Sequence, residues 1–154
     1  MKTEIFVLRS RMEASAGDVY AWHALPEALE RLTPPGEAAK LIEKTGGIER
    51  GARVVLEVGE WPFRQSWVAV HGDFEVGRYF TDQQISGPFA YWKHTHTFEP
   101  HGAAASILED RVEYALPFGF LGRWFGGWFV RRKLERLFKF RHEVTAREVS
   151  AAKK

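Results

Sequence analysis

Residues 104–116 read AASILEDRVEYAL, and residues 117–148 read PFGFLGRWFGGWFVRRKLERLFKFRHEVTARE. The first segment alternates: Ser106, Leu108, Asp110, Val112, Tyr114 and Leu116 share one side, against Glu109, Arg111 and Glu113 on the other. Period-two alternation marks a strand with one buried face. Pro117 and Gly119 then interrupt, and the apolar period lengthens to about 3.6 residues. Leu121, Trp124, Phe125, Trp128, Leu134, Leu137, Phe138 and Val144 recur at three- and four-residue steps, while Arg131, Arg132, Lys133, Arg136 and Lys139 fill much of the rest. The pattern predicts a long amphipathic helix ending near Glu148, with Gly126-Gly127 a weak point for a kink or a late start.

Upstream of this junction the chain is mostly strand. Thr3–Glu13 alternates, with Phe6, Leu8 and Met12 on one side. Ser15, three residues ahead of Asp18, opens a short helix carrying Val19, Trp22 and His23. Pro26 ends that helix and can open another over Pro26–Leu32, which Thr33-Pro34-Pro35-Gly36 stops. Candidate strands then run over Ala39–Lys44, Arg53–Glu60, Phe63–His71, Val76–Ile85, Ala90–Glu99 and Ala104–Leu116. The separators are Thr45-Gly46-Gly47, Trp61-Pro62, Gly72-Asp73, Ser86-Gly87-Pro88 and Pro100-His101-Gly102, all turn chemistry. Short turns imply antiparallel hairpins rather than crossover helices. An antiparallel sheet with one dominant helix must bury the helix stripe against one sheet face, an α+β domain. No repeat, linker or second domain is visible in 154 residues, a length suited to one core.

Composition narrows the function classes. The chain is 45% hydrophobic and 27% charged, which excludes a disordered or low-complexity chain. It has no cysteine, hence no disulfide, thiolate metal site or cysteine nucleophile. Met1–Arg11 is broken by charges and does not read as a signal peptide, so a cytoplasmic location is expected. Charge is uneven: residues 1–130 carry 13 basic and 17 acidic groups, and residues 131–154 carry 9 and 3. A basic terminal helix could meet an anionic surface, but its ordinary role is a solvated face. The glycine pairs lack the G-x-G-x-x-G or GxxxxGK[ST] spacing of a phosphate cradle, and no G-x-S-x-G elbow is present. Nucleic acid is not expected as a partner, because most aromatics are patterned inward rather than as an exposed stacking platform.

The 12 Phe, 6 Trp and 4 Tyr are in excess, and large rings can line an internal cavity as well as fill a core. Parity of Ala90–Glu99 places Trp92, His94, His96 and Phe98 inward, on the face shared by Asp110 and Tyr114 of the next strand. In Phe63–His71 the same reasoning favours Gln65 and Trp67 inward. A buried acid and buried imidazoles need partners, and His94 or His96 bonded to Asp110 would satisfy both. The cluster has three readings: a metal site using His94 and His96 with Asp110 or Asp82, a general base made of a His–Asp dyad, or an internal hydrogen-bond network. The network is the preferred reading, so neither a metal nor a cofactor is expected.

The stretches Phe6–Met12, Trp22–Pro35, Phe80–Gln83, Gly87–Phe98 and Asp110–Tyr114 resemble the SRPBCC (START/birch-pollen-allergen-like) superfamily, in its ligand-binding, polyketide cyclase/dehydrase-related subgroup. The His94-Thr95-His96 and Leu32-Thr33-Pro34-Pro35 segments are the most specific, and the resemblance covers nearly the whole chain. It implies a helix-grip fold: a curved seven-stranded antiparallel sheet around a long C-terminal helix, two short helices after the first strand, and a cavity for an apolar ligand. Members of the superfamily include lipid carriers, hormone receptors and aromatase/cyclases, and similar domains occur beside an epimerase-like short-chain dehydrogenase domain. Such a dehydrogenase is therefore a candidate partner, and the chain is expected as a monomer or homodimer.

Three functions follow as expectations. The first is a carrier or sensor of a small hydrophobic, aromatic or polyketide-like molecule, lined by Gln65, Trp67, Trp92, His94, His96, Phe98, Asp110 and Tyr114. The second is a cyclase, dehydratase or isomerase using His94, His96 and Asp110 as acid–base groups. The third is a membrane- or partner-docking module built on Trp124–Lys139. Trp124 and Trp128 separate it from the others, since they must be exposed for docking and buried for a gripping helix.

Overall fold

A computed structural model describes residues 1–153. Strand β1 (Glu4–Met12) is followed by helices α1 (Ala16–His23) and α2 (Ala28–Arg31). Then come β2 (Ala39–Thr45), β3 (Arg53–Val58), β4 (Gln65–Glu75), β5 (Tyr79–Ser86), β6 (Tyr91–Pro100), β7 (Ser106–Ala115) and helix α3 (Gly119–Ala151). The strands form one antiparallel sheet in the order β1-β7-β6-β5-β4-β3-β2. Hairpins link β2 through β7, while α1 and α2 let the chain cross from one sheet edge to the other. The Ser15 side chain accepts the Asp18 amide at 3.1 Å and caps α1, as its spacing predicts.

Two expected boundaries are corrected. Gly72-Asp73 is not a turn, because β4 runs on to Glu75 and the hairpin bends at Gly77, whose φ of 77° suits glycine. Gly72 instead sits where the pairing of β4 with β5 slips between His71 and Phe74. A Cβ there would come within 2.8 Å of Thr81 Oγ1, so close approach accounts for the glycine. Helix α3 passes through Gly126-Gly127 unbroken and ends at Ala151, beyond the expected Glu148.

Only part of α3 grips the sheet. Its buried residues are Leu134, Phe138, His142, Val144, Thr145 and Val149. The interior is divided into two apolar cores. One contains Met12, Val19, Phe98, Leu108 and Val149, and the other Phe6, Trp92, Val112, Tyr114 and Phe138. Each gripping element carries a polar group between its two apolar contributions. These are Ser10 on β1, His94 and His96 on β6, Asp110 on β7 and His142 on α3. Parity and helical spacing thus stack a polar layer between two greasy ones.

Candidate functional site

The polar layer is assembled by strand register. His96 stands opposite Asp110 on β7, and His94 stands opposite Asp82 on β5. Asp110 is 2% exposed, has three imidazoles beside it and accepts hydrogen bonds from two of them. His94 Nε2 donates to its Oδ1 at 2.8 Å, and His142 Nε2 donates to its Oδ2 at 2.7 Å. With that tautomer of His142, the Ser10 hydroxyl donates to Nδ1 at 2.6 Å. His96 Nδ1 also lies 2.8 Å from Asp110 Oδ1, but off the hydrogen-bonding direction, and no hydrogen bond satisfies it. On the far side of the rings, Asp82 Oδ2 stands 3.4 Å from His94 Nδ1 and 3.5 Å from His96 Nε2.

The electrostatics follow from burial set against neighbours. Burial opposes a charge on His94, but Asp82 and Asp110 outweigh it and hold its pKa at about 9. Burial likewise opposes ionisation of both acids. Even so, His94 and His96 hold Asp82 below the usual carboxylate range, and His96, His142 and His94 do the same for Asp110. His23, on α1, has no carboxylate partner. Burial, with the adjacent His96, pushes it down to about 4 while its Nδ1–H donates to Val19 O at 2.8 Å.

A cavity lies on the β2–β6 side of this layer, roofed by α2 and α3. An inner chamber of about 150 Å³ is walled by His23, His71, Phe80, Asp82, His94 and His96, among others. An outer chamber of about 300 Å³ adjoins it and reaches Phe63, Gln65, Pro88, Phe89, Val130 and Lys133. Leu29, Leu56, Trp67, Trp92, Leu137 and Arg141 belong to both walls. Together the chambers have the size and apolar character of small-molecule sites. Trp67 Nε1 is buried without a hydrogen-bond partner. Arg141 is held by its Nε–H to Leu32 O at 3.2 Å, and burial lowers its pKa, partly offset by Asp110 and Asp82.

Of the eight residues expected in the wall, Gln65, Trp67, Trp92, His94 and His96 line it. Phe98, Asp110 and Tyr114 do not. Phe98 packs edge-on against His23 and Tyr20, and Asp110 lies behind the imidazoles. The Tyr114 hydroxyl reaches outward to donate to Glu4 Oε2 at 3.1 Å. The inward face of β7 is covered by its neighbours and α3, so inward does not mean cavity-lining there. His142, Arg141 and His23 were missed. His142 lies four residues after Phe138 on the buried helix stripe, a lone imidazole that could have been noticed. Asp82 shares strand parity with buried Phe80.

A curved antiparallel sheet clasping a terminal helix, with a ring-lined cavity over a histidine–aspartate layer, is the helix-grip architecture. The chain belongs to the family described as polyketide cyclase / dehydrase and lipid transport, which matches residues 12–140. No curated protein matches it. Solved structures share the fold. The Zhui aromatase/cyclase from Streptomyces sp. R1128 aligns with TM-score 0.78 at 14% identity, over 99% of this chain and 97% of its own. A norcoclaurine synthase point mutant from Thalictrum flavum, in complex with a transition-state analogue, aligns with TM-score 0.77 at 17% identity, over 99% and 98%. The nucleoside-diphosphate sugar epimerase from Corynebacterium glutamicum aligns with TM-score 0.74 at 21% identity, over 94% of this chain but 29% of that one. Among the described residues no helix is long and apolar enough to cross a membrane.

Proposed function

We propose that the protein binds a small hydrophobic molecule bearing a carbonyl or hydroxyl group, as a carrier or sensor. The observation that carries this reading is Trp67: its indole walls both chambers while its buried N–H lacks a partner. An unpaired buried donor is costly, and an acceptor on a bound ligand removes that cost. The aromatic walls bury the rest of the ligand, and His96 offers a second polar contact. Titration with a panel of aromatic ketones and phenols should quench tryptophan fluorescence with micromolar affinity. Trp67→Phe and His96→Ala should weaken binding to ligands that carry the oxygen. If no compound binds better than millimolar, or if neither substitution changes affinity, the reading fails.

The His94–Asp110 contact at 2.8 Å favours a second reading, acid–base turnover of the same ligand. In it His94 and His96 face the substrate, while Asp110, behind them, acts as a positioning residue. Loss of turnover on keto substrates in Asp110→Asn, with ligand binding kept, supports an enzyme, and binding with no turnover in the wild type supports the carrier. An epimerase-like dehydrogenase acting on the same oxygen-bearing group is its candidate partner, testable by co-purification.

The gripping helix also bears on docking. Trp124 is 83% and Trp128 71% exposed, beside exposed Phe118, Phe120, Phe125 and Phe129. Residues 116–134 hold Arg123, Arg131, Arg132 and Lys133 and no acid. Aromatics with basic neighbours suit the interface of an anionic bilayer, and Val130 and Lys133 carry this surface to the outer chamber. Flotation with anionic liposomes should recover the protein in a salt-sensitive way and fail for the double Trp124→Ala, Trp128→Ala variant. Equal recovery of that variant, or none of the wild type, dismisses membrane loading.

A further inference from the structure

We propose that Asp82, His94 and His96 form a site for one divalent first-row transition-metal ion, open to the inner chamber. The site shares His96 with the proposed ligand pocket but is carried by a separate observation, the spacing of its three donors.

The donor set comes first. Two imidazole nitrogens and one carboxylate oxygen are a combination that zinc, iron and cobalt accept, and three protein ligands leave further positions for an exchangeable group. The backbone brings these donors together. Asp82 pairs with His94 across β5 and β6, and His96 follows two residues on along the same face.

The spacing points the same way. Asp82 Oδ2 is 3.4 Å from His94 Nδ1 and 3.5 Å from His96 Nε2, both long for an N–H···O bond, which peaks near 2.9–3.0 Å. Ligands bound tetrahedrally at about 2.0–2.2 Å stand about 3.3–3.5 Å apart. Two edges of the triangle therefore already have the length of donors that share an ion. All three ligand atoms fall within 4.8 Å of one another.

The support behind the rings completes the argument. Asp110 Oδ1 lies 2.8 Å from His94 Nε2 and 2.8 Å from His96 Nδ1, in each case the ring nitrogen opposite the one beside Asp82. His142, itself held by the Ser10 hydroxyl, donates to the same carboxylate from the helix side. A carboxylate that accepts from a metal-binding imidazole, as Asp110 does from His94, fixes ring orientation and raises its basicity, a recurring feature of metal sites. Asp82, His94 and His96 all belong to the inner chamber wall, so free coordination positions face the cavity. An ion there would polarise a carbonyl or hydroxyl entering the chamber.

The test uses the full-length protein, stripped with a chelator and titrated with Co²⁺, then challenged with Zn²⁺. One equivalent should bind with a visible d–d absorption that Zn²⁺ abolishes. Hyperfine-shifted imidazole resonances from two histidines should appear in the NMR spectrum of the Co²⁺ form. Asp82→Asn and His96→Ala should abolish the band, and the wild-type NMR readout decides the matter if either variant fails to fold. Asp110→Asn should keep the band while weakening affinity about 10–100-fold, as expected of a positioning residue. His101→Ala, on an exposed turn, should behave as wild type. No band and no shifted imidazole resonance in the wild type overturns the proposal. So does binding that persists in folded Asp82→Asn and His96→Ala.

Discussion

Replacing Asp110 by Asn removes the charge on which three imidazoles converge while hardly changing side-chain volume. Two charge-assisted hydrogen bonds are lost, from His94 at 2.8 Å and His142 at 2.7 Å. Hydrogen bonds to charged groups contribute roughly 1.5–3 kcal/mol each. Part of that is returned because the carboxylate no longer has to be desolvated. Breaking a buried pair from one side costs about 3–5 kcal/mol, and this is the expected loss. For a domain of this size each kcal/mol moves Tm by about 2–4 °C, so Tm should fall by roughly 6–20 °C. The assay is thermal and urea unfolding at pH 7 without metal, with Glu109→Gln as the control. Glu109 is the next residue along the strand, but it faces solvent and bridges half-exposed Arg9, so its loss should leave Tm nearly unchanged. An Asp110→Asn variant within about 1 kcal/mol of wild type would refute the claim that this carboxylate holds the layer together.

Stability should peak near pH 6.5 in the metal-free protein. As pH falls from 6.5 towards 4, the unfolded chain protonates His23 while the folded one does not, costing roughly 3 kcal/mol, and His23→Gln should flatten that limb of the urea profile. As pH rises from 6.5 through 9, His94 keeps its proton only in the fold, so its contribution is lost in that window; a flat alkaline limb would contradict this. Phe138→Ala should cost about 3–5 kcal/mol in denaturant unfolding, because its fully buried ring packs on Phe6 and His94. Gly72→Ala should destabilise by about 1–3 kcal/mol through its clash with Thr81, and an unchanged urea midpoint would argue against the close approach.

Local periodicity determined much of this protein. The alternation in β6 and β7 put His94, His96 and Asp110 on one face, and the 3.6-residue stripe marked the gripping helix, because both signals come from a residue's neighbours along the chain. What covers a face is a different matter, decided by contacts between distant segments. Only the tertiary structure showed that Asp110 and Tyr114 lie outside the cavity wall, that Asp82 rather than Asp110 faces the chamber beside His94 and His96, and that His142 joins the layer from the helix. The helical stripe could not reveal that α3 overhangs the sheet, since Trp124 and Trp128 follow the same spacing as buried Leu134 and Phe138. Periodicity names the side of an element; where the sheet ends beneath it is fixed by register and crossing geometry.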